Sequence, residues 1–133
     1  MDRTTRDLVR RRAGDRCEYC RLPQEAEPLF TFHVEHVVAK QHLGSDEAEN
    51  LALACHHCNV HKGPNLAGLD PETSMMVPLF HPRRNDWSEH FRLDGGEVVG
   101  LTPIGRATIQ VLRMNALDRV ELRNEWLHDH SLE

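Results

Sequence analysis

Lysine is all but missing: Lys40 and Lys62 are the only two in 133 residues. Aromatic residues make up 5% and tyrosine occurs once, so few large rings are on hand to fill a core. At this length the chain has room for one modest core, and a staple of another kind would help to hold it. No apolar run approaches the roughly 20 residues of a membrane helix. Met1–Arg12 carries no apolar leader either, so the chain is expected to be soluble, cytoplasmic and without a membrane partner. Positive charge is not in excess. The formal net charge is −5 and the pI near 6.0, the wrong sign for a protein that coats nucleic acid over its whole surface.

What positive charge there is comes almost entirely from arginine. Arg3, Arg6, Arg10, Arg11, Arg12, Arg16 and Arg21 crowd the first 21 residues, and Arg83-Arg84 form a pair in mid-chain. The N-terminal group reads equally well as a phosphate-binding face or as a solvated helix surface.

Hydrophobic periodicity and breakers divide the chain coarsely. Residues 3–13 read as a helix ending at Gly14, 30–39 as a strand, 40–50 as a loop and 51–54 as a short second strand. The second cysteine pair and Asn59 to Lys62, residues 55–62, fit a short helix stopped by Gly63-Pro64. Asp70 to Thr73 is a turn and Val77 to Pro82 an extended segment. Trp87–Leu93, Asp94-Gly95-Gly96 and Glu97–Leu101 predict a hairpin. Thr102-Pro103 predicts an N-cap with proline at N1, opening a helix to about Met114, and a last helix spans about 116–128.

Only four cysteines are present, in two pairs of identical spacing: Cys17-Glu18-Tyr19-Cys20 and Cys55-His56-His57-Cys58. Two intervening residues turn both sulfurs of a pair toward one point, and two such knuckles supply four thiolates for tetrahedral Zn²⁺. Disulfides do not suit an intracellular chain, and a redox pair would leave the second pair unexplained. A Cys₄ site has no vacant coordination position, so this zinc is structural.

Between the knuckles lie Phe32-His33-Val34-Glu35-His36-Val37-Val38, then Gly44-Ser45-Asp46 and Glu49-Asn50-Leu51; Asn59-Val60-His61-Lys62-Gly63 follows the last cysteine. Over residues 10–65 this order resembles the HNH nuclease family: an acid or histidine before a histidine, an asparagine before a leucine, and an asparagine or histidine just past the last cysteine. From His81-Pro82 onward the chain is similar, less specifically, to the tail of small bacterial HNH proteins. The resemblance implies an α+β fold, a ββα-metal finger stapled by zinc, here with an N-terminal helix and a C-terminal hairpin plus two helices. It is expected to form one domain over 1–133, with the HNH core at about 10–65 and the extension at about 77–130.

The implied activity is endonucleolytic hydrolysis of phosphodiester bonds in DNA. Such a reaction needs a base for water and a cation for the charge on phosphate and leaving oxygen. His36 is the candidate base, because imidazole exchanges a proton near neutral pH. Glu35 and the Asn59 carbonyl are candidate ligands of Mg²⁺ or Mn²⁺, hard ions that take oxygen. The family more often has aspartate or histidine where this chain has Glu35, whose side chain is a methylene longer than aspartate's. Asn50 would bridge the loop and orient the strand that carries His36. Lys62 and His33 are candidate contacts to substrate phosphate. Two other readings stay open: a zinc ribbon that binds nucleic acid or protein without cutting, and a nuclease toxin or subunit acting with a cognate partner. A homodimer, with one active site per strand, is a further expectation that no residue argues for.

Overall fold

The computed structural model describes residues 1–130. The chain opens with helix α1 (Arg3–Arg12), whose first turn is capped by the Asp2 carboxylate accepting from Thr5 N–H. The first knuckle follows, then strand β1 (His33–His36), which pairs antiparallel with β2 (Leu51–Ala54) in the register His33–Ala54, Glu35–Ala52, His36–Leu51. Helix α2 (His56–Lys62) comes directly after and packs on β1. The strand expected over 30–39 is thus cut to four residues. Phe30 and Phe32 on its approach are instead held by the Gln24 side chain, which donates to Phe30 O and accepts from Phe32 N–H.

Beyond the finger, β3 (Ala67–Leu69) and β4 (Met76–Pro78) form a small hairpin, then come the single-turn helix α3 (Trp87–His90), the hairpin β5 (Phe91–Asp94) and β6 (Glu97–Gly100), and helices α4 (Pro103–Leu112) and α5 (Leu117–Asp129). Trp87 to His90 correct the expected hairpin arm, which begins only at Phe91: the Phe91 N–H bonds back to Trp87 O and closes a helical turn. The Thr102-Pro103 start holds, with the Thr102 hydroxyl accepting from Gly105 N–H. One hydrophobic cluster joins finger and extension; it contains the four cysteines, Tyr19, Leu51 and Leu53 together with Phe80, Trp87, Phe91, Leu112 and Met114.

Buried Asp70, in the turn after β3, receives both Nε and Nη2 of Arg106 at 2.9 Å, and it also accepts from Glu72 N–H and the Thr73 hydroxyl. The arginine holds this carboxyl well below the usual carboxylate range. Below an ordinary aspartate pKa of about 4 the unfolded chain therefore binds a proton that the folded chain does not. The stabilisation is full at neutral pH and fades as pH falls below that value. Urea midpoints at neutral and acid pH should converge in Asp70→Asn by the amount that this group supplies.

Candidate active site

The two knuckles meet. All four sulfurs lie within 4.8 Å of one another and are buried, with Cys20 Sγ 3.8 Å from Cys55 Sγ. Tetrahedral zinc with Zn–S near 2.3 Å puts sulfurs about 3.8 Å apart, so the cluster fits the ion. Cys17 and Cys55 sulfurs accept the N–H groups of Cys20 and Cys58, closing each knuckle on itself. Burial pushes the Cys17 thiol up, a cost that a bound divalent cation removes. Helix α5 adds Arg119 and Arg123, both buried and close enough to Cys20 to act on it electrostatically. Buried guanidinium nitrogens of both have no hydrogen-bond partner among the described residues, as suits cations that balance the net negative charge of a zinc tetrathiolate.

The finger's polar residues divide between the two faces of β1. On the face toward α2, His33 Nε2 lies 3.1 Å from His56 Nδ1, and the Phe30 ring stacks on His56. Two residues on, Glu35 is buried; the Tyr19 hydroxyl donates to its Oε1 and Lys62 Nζ stands 3.7 Å from its Oε2. Burial pushes the Glu35 carboxyl up, while Lys62 and the tyrosine pull it back down. Lys62 is turned inward, 2% exposed, and donates to Val37 O at 2.8 Å. Asn59 is three residues from both His56 and Lys62 on a helix whose two ends meet this strand face, so it sits between them on the same side.

His36 points the other way. Its Nε2 lies 2.7 Å from Asp46 Oδ1, and Asp46 also pairs with Lys40 at 3.2 Å. These two bonds, His36 first, lower the Asp46 carboxyl below its ordinary value, so it stays ionised and can only accept. Nε2 therefore carries the hydrogen, and the lone pair of the neutral ring is on Nδ1.

Asn50 ties loop to strand with three bonds. Its Oδ1 accepts from Val38 N–H, and its Nδ2 donates to Val38 O and Ser45 O. The loop can close this tightly because residue 44 is glycine; a Cβ there would stand 1.7 Å from Val38 O and 2.9 Å from Asn50 Nδ2. The same closure brings Asp46 to His36.

Sequence reasoning singled out His36, Glu35, Asn50, Asn59, His33 and the cysteines, and the fold gathers them along one short strand–helix unit. It missed two partners, Asp46 and Tyr19. Asp46 is ten residues from His36 across a loop, beyond any spacing rule; Tyr19 was marked only by being the sole tyrosine, set between two cysteines. Two of the N-terminal arginines are tied to the finger. Arg10 donates to Phe32 O, and Arg12 donates to Ala48 O and Leu51 O, which pins α1 to the finger.

The family model of the HNH endonuclease matches residues 17–65, from the first knuckle cysteine to just past α2. The match covers 49 of the chain's 133 residues. Comparison with curated proteins and with solved structures finds no match. The HNH match spans both cysteine pairs, β1, β2 and α2, and the extension lies outside it. Among the described residues no helix is long and apolar enough to cross a membrane.

Proposed function

We propose that the chain is a metal-dependent HNH endonuclease that hydrolyses phosphodiester bonds in DNA, with His36 as the general base. The observation that carries this reading is the His36–Asp46 pair. It fixes the histidine tautomer, leaves Nδ1 as acceptor on a partly exposed ring, and sits on a strand end braced by Asn50. His36 takes the proton of the attacking water, and Asp46 holds the ring in the orientation that this needs.

The donor set on the α2 face suits one hard divalent ion. Glu35 keeps carboxylate lone pairs beyond those used by Tyr19 and Lys62, and Asn59, on the helix that carries Lys62, would add a carbonyl oxygen. Bound there, Mg²⁺ or Mn²⁺ would supply charge stabilisation to the phosphate and the leaving oxygen. Lys62 would share the Glu35 charge with the ion and thereby set how tightly it is held. His33, at the open end of the same face, would contact substrate.

One observation favours a second reading, a zinc module that binds without cutting: Tyr19 and Lys62 already engage both oxygens of the Glu35 carboxylate. Supercoiled plasmid incubated with Mg²⁺ or Mn²⁺ separates the two. The nuclease yields nicked and linear forms that depend on the added ion; a binding module leaves the plasmid supercoiled under every metal.

Asp46 is a positioning residue in this scheme. Asp46→Asn should lower kcat about 10- to 100-fold, the usual cost of removing a partner that orients an active-site histidine. KM for DNA should change little, and Asp46→Glu should restore part of the rate. A fall in melting temperature with kcat unchanged would reduce Asp46 to a loop brace.

A further inference from the structure

A cavity of about 370 Å³ separates the finger from the extension. One wall is Val37 and Val38, the two residues after His36, with Lys62 at the end of α2; the other is the 81–85 turn, carrying His81, Arg84 and Asn85. Neither side makes this cavity alone.

The turn is rigid and anchored. His81 O accepts from Arg84 N–H and Asn85 N–H, and His81 N–H donates to Asn85 Oδ1. Arg83 ion-pairs with Glu18 of the first knuckle, and Glu18 in turn accepts from Leu53 N–H in β2. The turn is thus bolted to the zinc staple and to the strand that pairs with β1. His81 Nδ1 accepts from Arg83 N–H, so the proton of the neutral ring is on Nε2, a donor.

His81 and Arg84 both line the cavity. Arg10, Arg12, Arg106, Arg119 and Arg123 each give at least one guanidinium donor to a carboxylate or carbonyl, as Arg83 does to Glu18. Arg84 is exposed, and its side chain makes no hydrogen bond or ion pair among the described residues. Arg84 and Lys62 both stand close enough to His81 to oppose its protonation, after burial, which is the larger cause. Arg84, the His81 imidazole and Lys62, whose charge is shared with Glu35, meet at one cavity that no carboxylate among the described residues lines. An anion suits such a wall, and a guanidinium with its donors free matches two phosphate oxygens at once.

We infer that the 81–85 turn is a phosphate-binding element, in which Arg84 and the His81 imidazole grip a backbone phosphate of the nucleic-acid strand being cut. The inference rests on the nuclease reading and adds a substrate contact from outside the HNH match. Val37 and Val38 follow His36 directly in the chain, which puts the gripped phosphate near the strand end that carries His36. The grip sets where that strand lies, not how its bond breaks.

The test is anisotropy of a short fluorescent DNA duplex across a salt series in the His36→Ala background, with plasmid cleavage measured in otherwise wild-type protein. Arg84→Gln should leave the melting temperature unchanged, weaken binding several-fold, and reduce the log–log salt slope by about 0.9, the value of one phosphate contact on duplex DNA. In cleavage it should raise KM with kcat nearly unchanged. If the wild type cuts DNA and Arg84→Gln keeps the full salt slope, the phosphate assignment is overturned and the nuclease reading stands. If the wild type neither binds nor cuts DNA, both are overturned.

Discussion

Cys55→Ser should leave the finger unable to hold its fold at ordinary temperature. Cys55 is fully buried, caps the first turn of α2 through its sulfur, and faces Cys20 across the cluster. Removing one thiolate opens the tetrahedron and replaces it with a small hydroxyl among buried sulfurs. Structural zinc contributes on the order of 10 kcal/mol to folding in small domains, comparable with the whole stability of a typical protein at about 5–15 kcal/mol. The cysteines belong to the same hydrophobic cluster as Phe80, Phe91 and Met114, so the loss should reach the extension as well. Elemental analysis should find one zinc per wild-type chain, and circular dichroism of Cys55→Ser, or of chelator-treated wild type, should show lost structure and a broad melt. A metal-free wild-type chain that melts at the same temperature would overturn the staple.

The staple was legible because two identical C-x-x-C spacings with no cysteine left over admit few other chemistries. Asn50 was singled out by its place before Leu51, and it makes three bonds across the 38–45 loop. The α4 start was legible because a threonine cap and a proline at N1 act locally. The β3–β4 hairpin was not. Each strand is three residues long, one holds Gly68 and the other ends at Pro78, both poor strand formers. Gly68 is there for packing, since a Cβ would stand 2.6 Å from Val111 Cγ2 of α4. That constraint comes from a helix forty residues away. Lys62 shows the same limit. A lysine at the end of an exposed-looking helix reads as a phosphate contact; only the fold reveals the buried carboxylate that draws it inward. Arg10 and Arg12 likewise look like a basic face until the carbonyls that they bind are in view.

His36→Ala should have the largest effect on chemistry with the least on structure. The ring is partly exposed and, among the described residues, bonds only to the exposed Asp46 at the loop surface, so its removal leaves the strand pairing, the Asn50 brace and the zinc cluster in place. Loss of a positioned base usually costs about 10²- to 10⁴-fold in rate. Glu35→Ala and Asn59→Ala should fail in a different way, through weakened hold on the divalent ion, so excess Mn²⁺ should restore part of their activity. His36→Ala keeps both oxygen donors and should gain nothing from more metal. Glu35→Ala should in addition lower the melting temperature, because it strands Lys62 in a buried site without its carboxylate partner.

The most direct measurement is the single-turnover rate of plasmid nicking by wild type and His36→Ala, each titrated with Mn²⁺ and each with its zinc content and melting temperature checked beforehand. The prediction is ion-dependent nicking by the wild type and a loss of at least about a hundredfold in the variant, undiminished at saturating Mn²⁺. A zinc-loaded His36→Ala chain that nicks at the wild-type rate would contradict the assignment of His36 as the base.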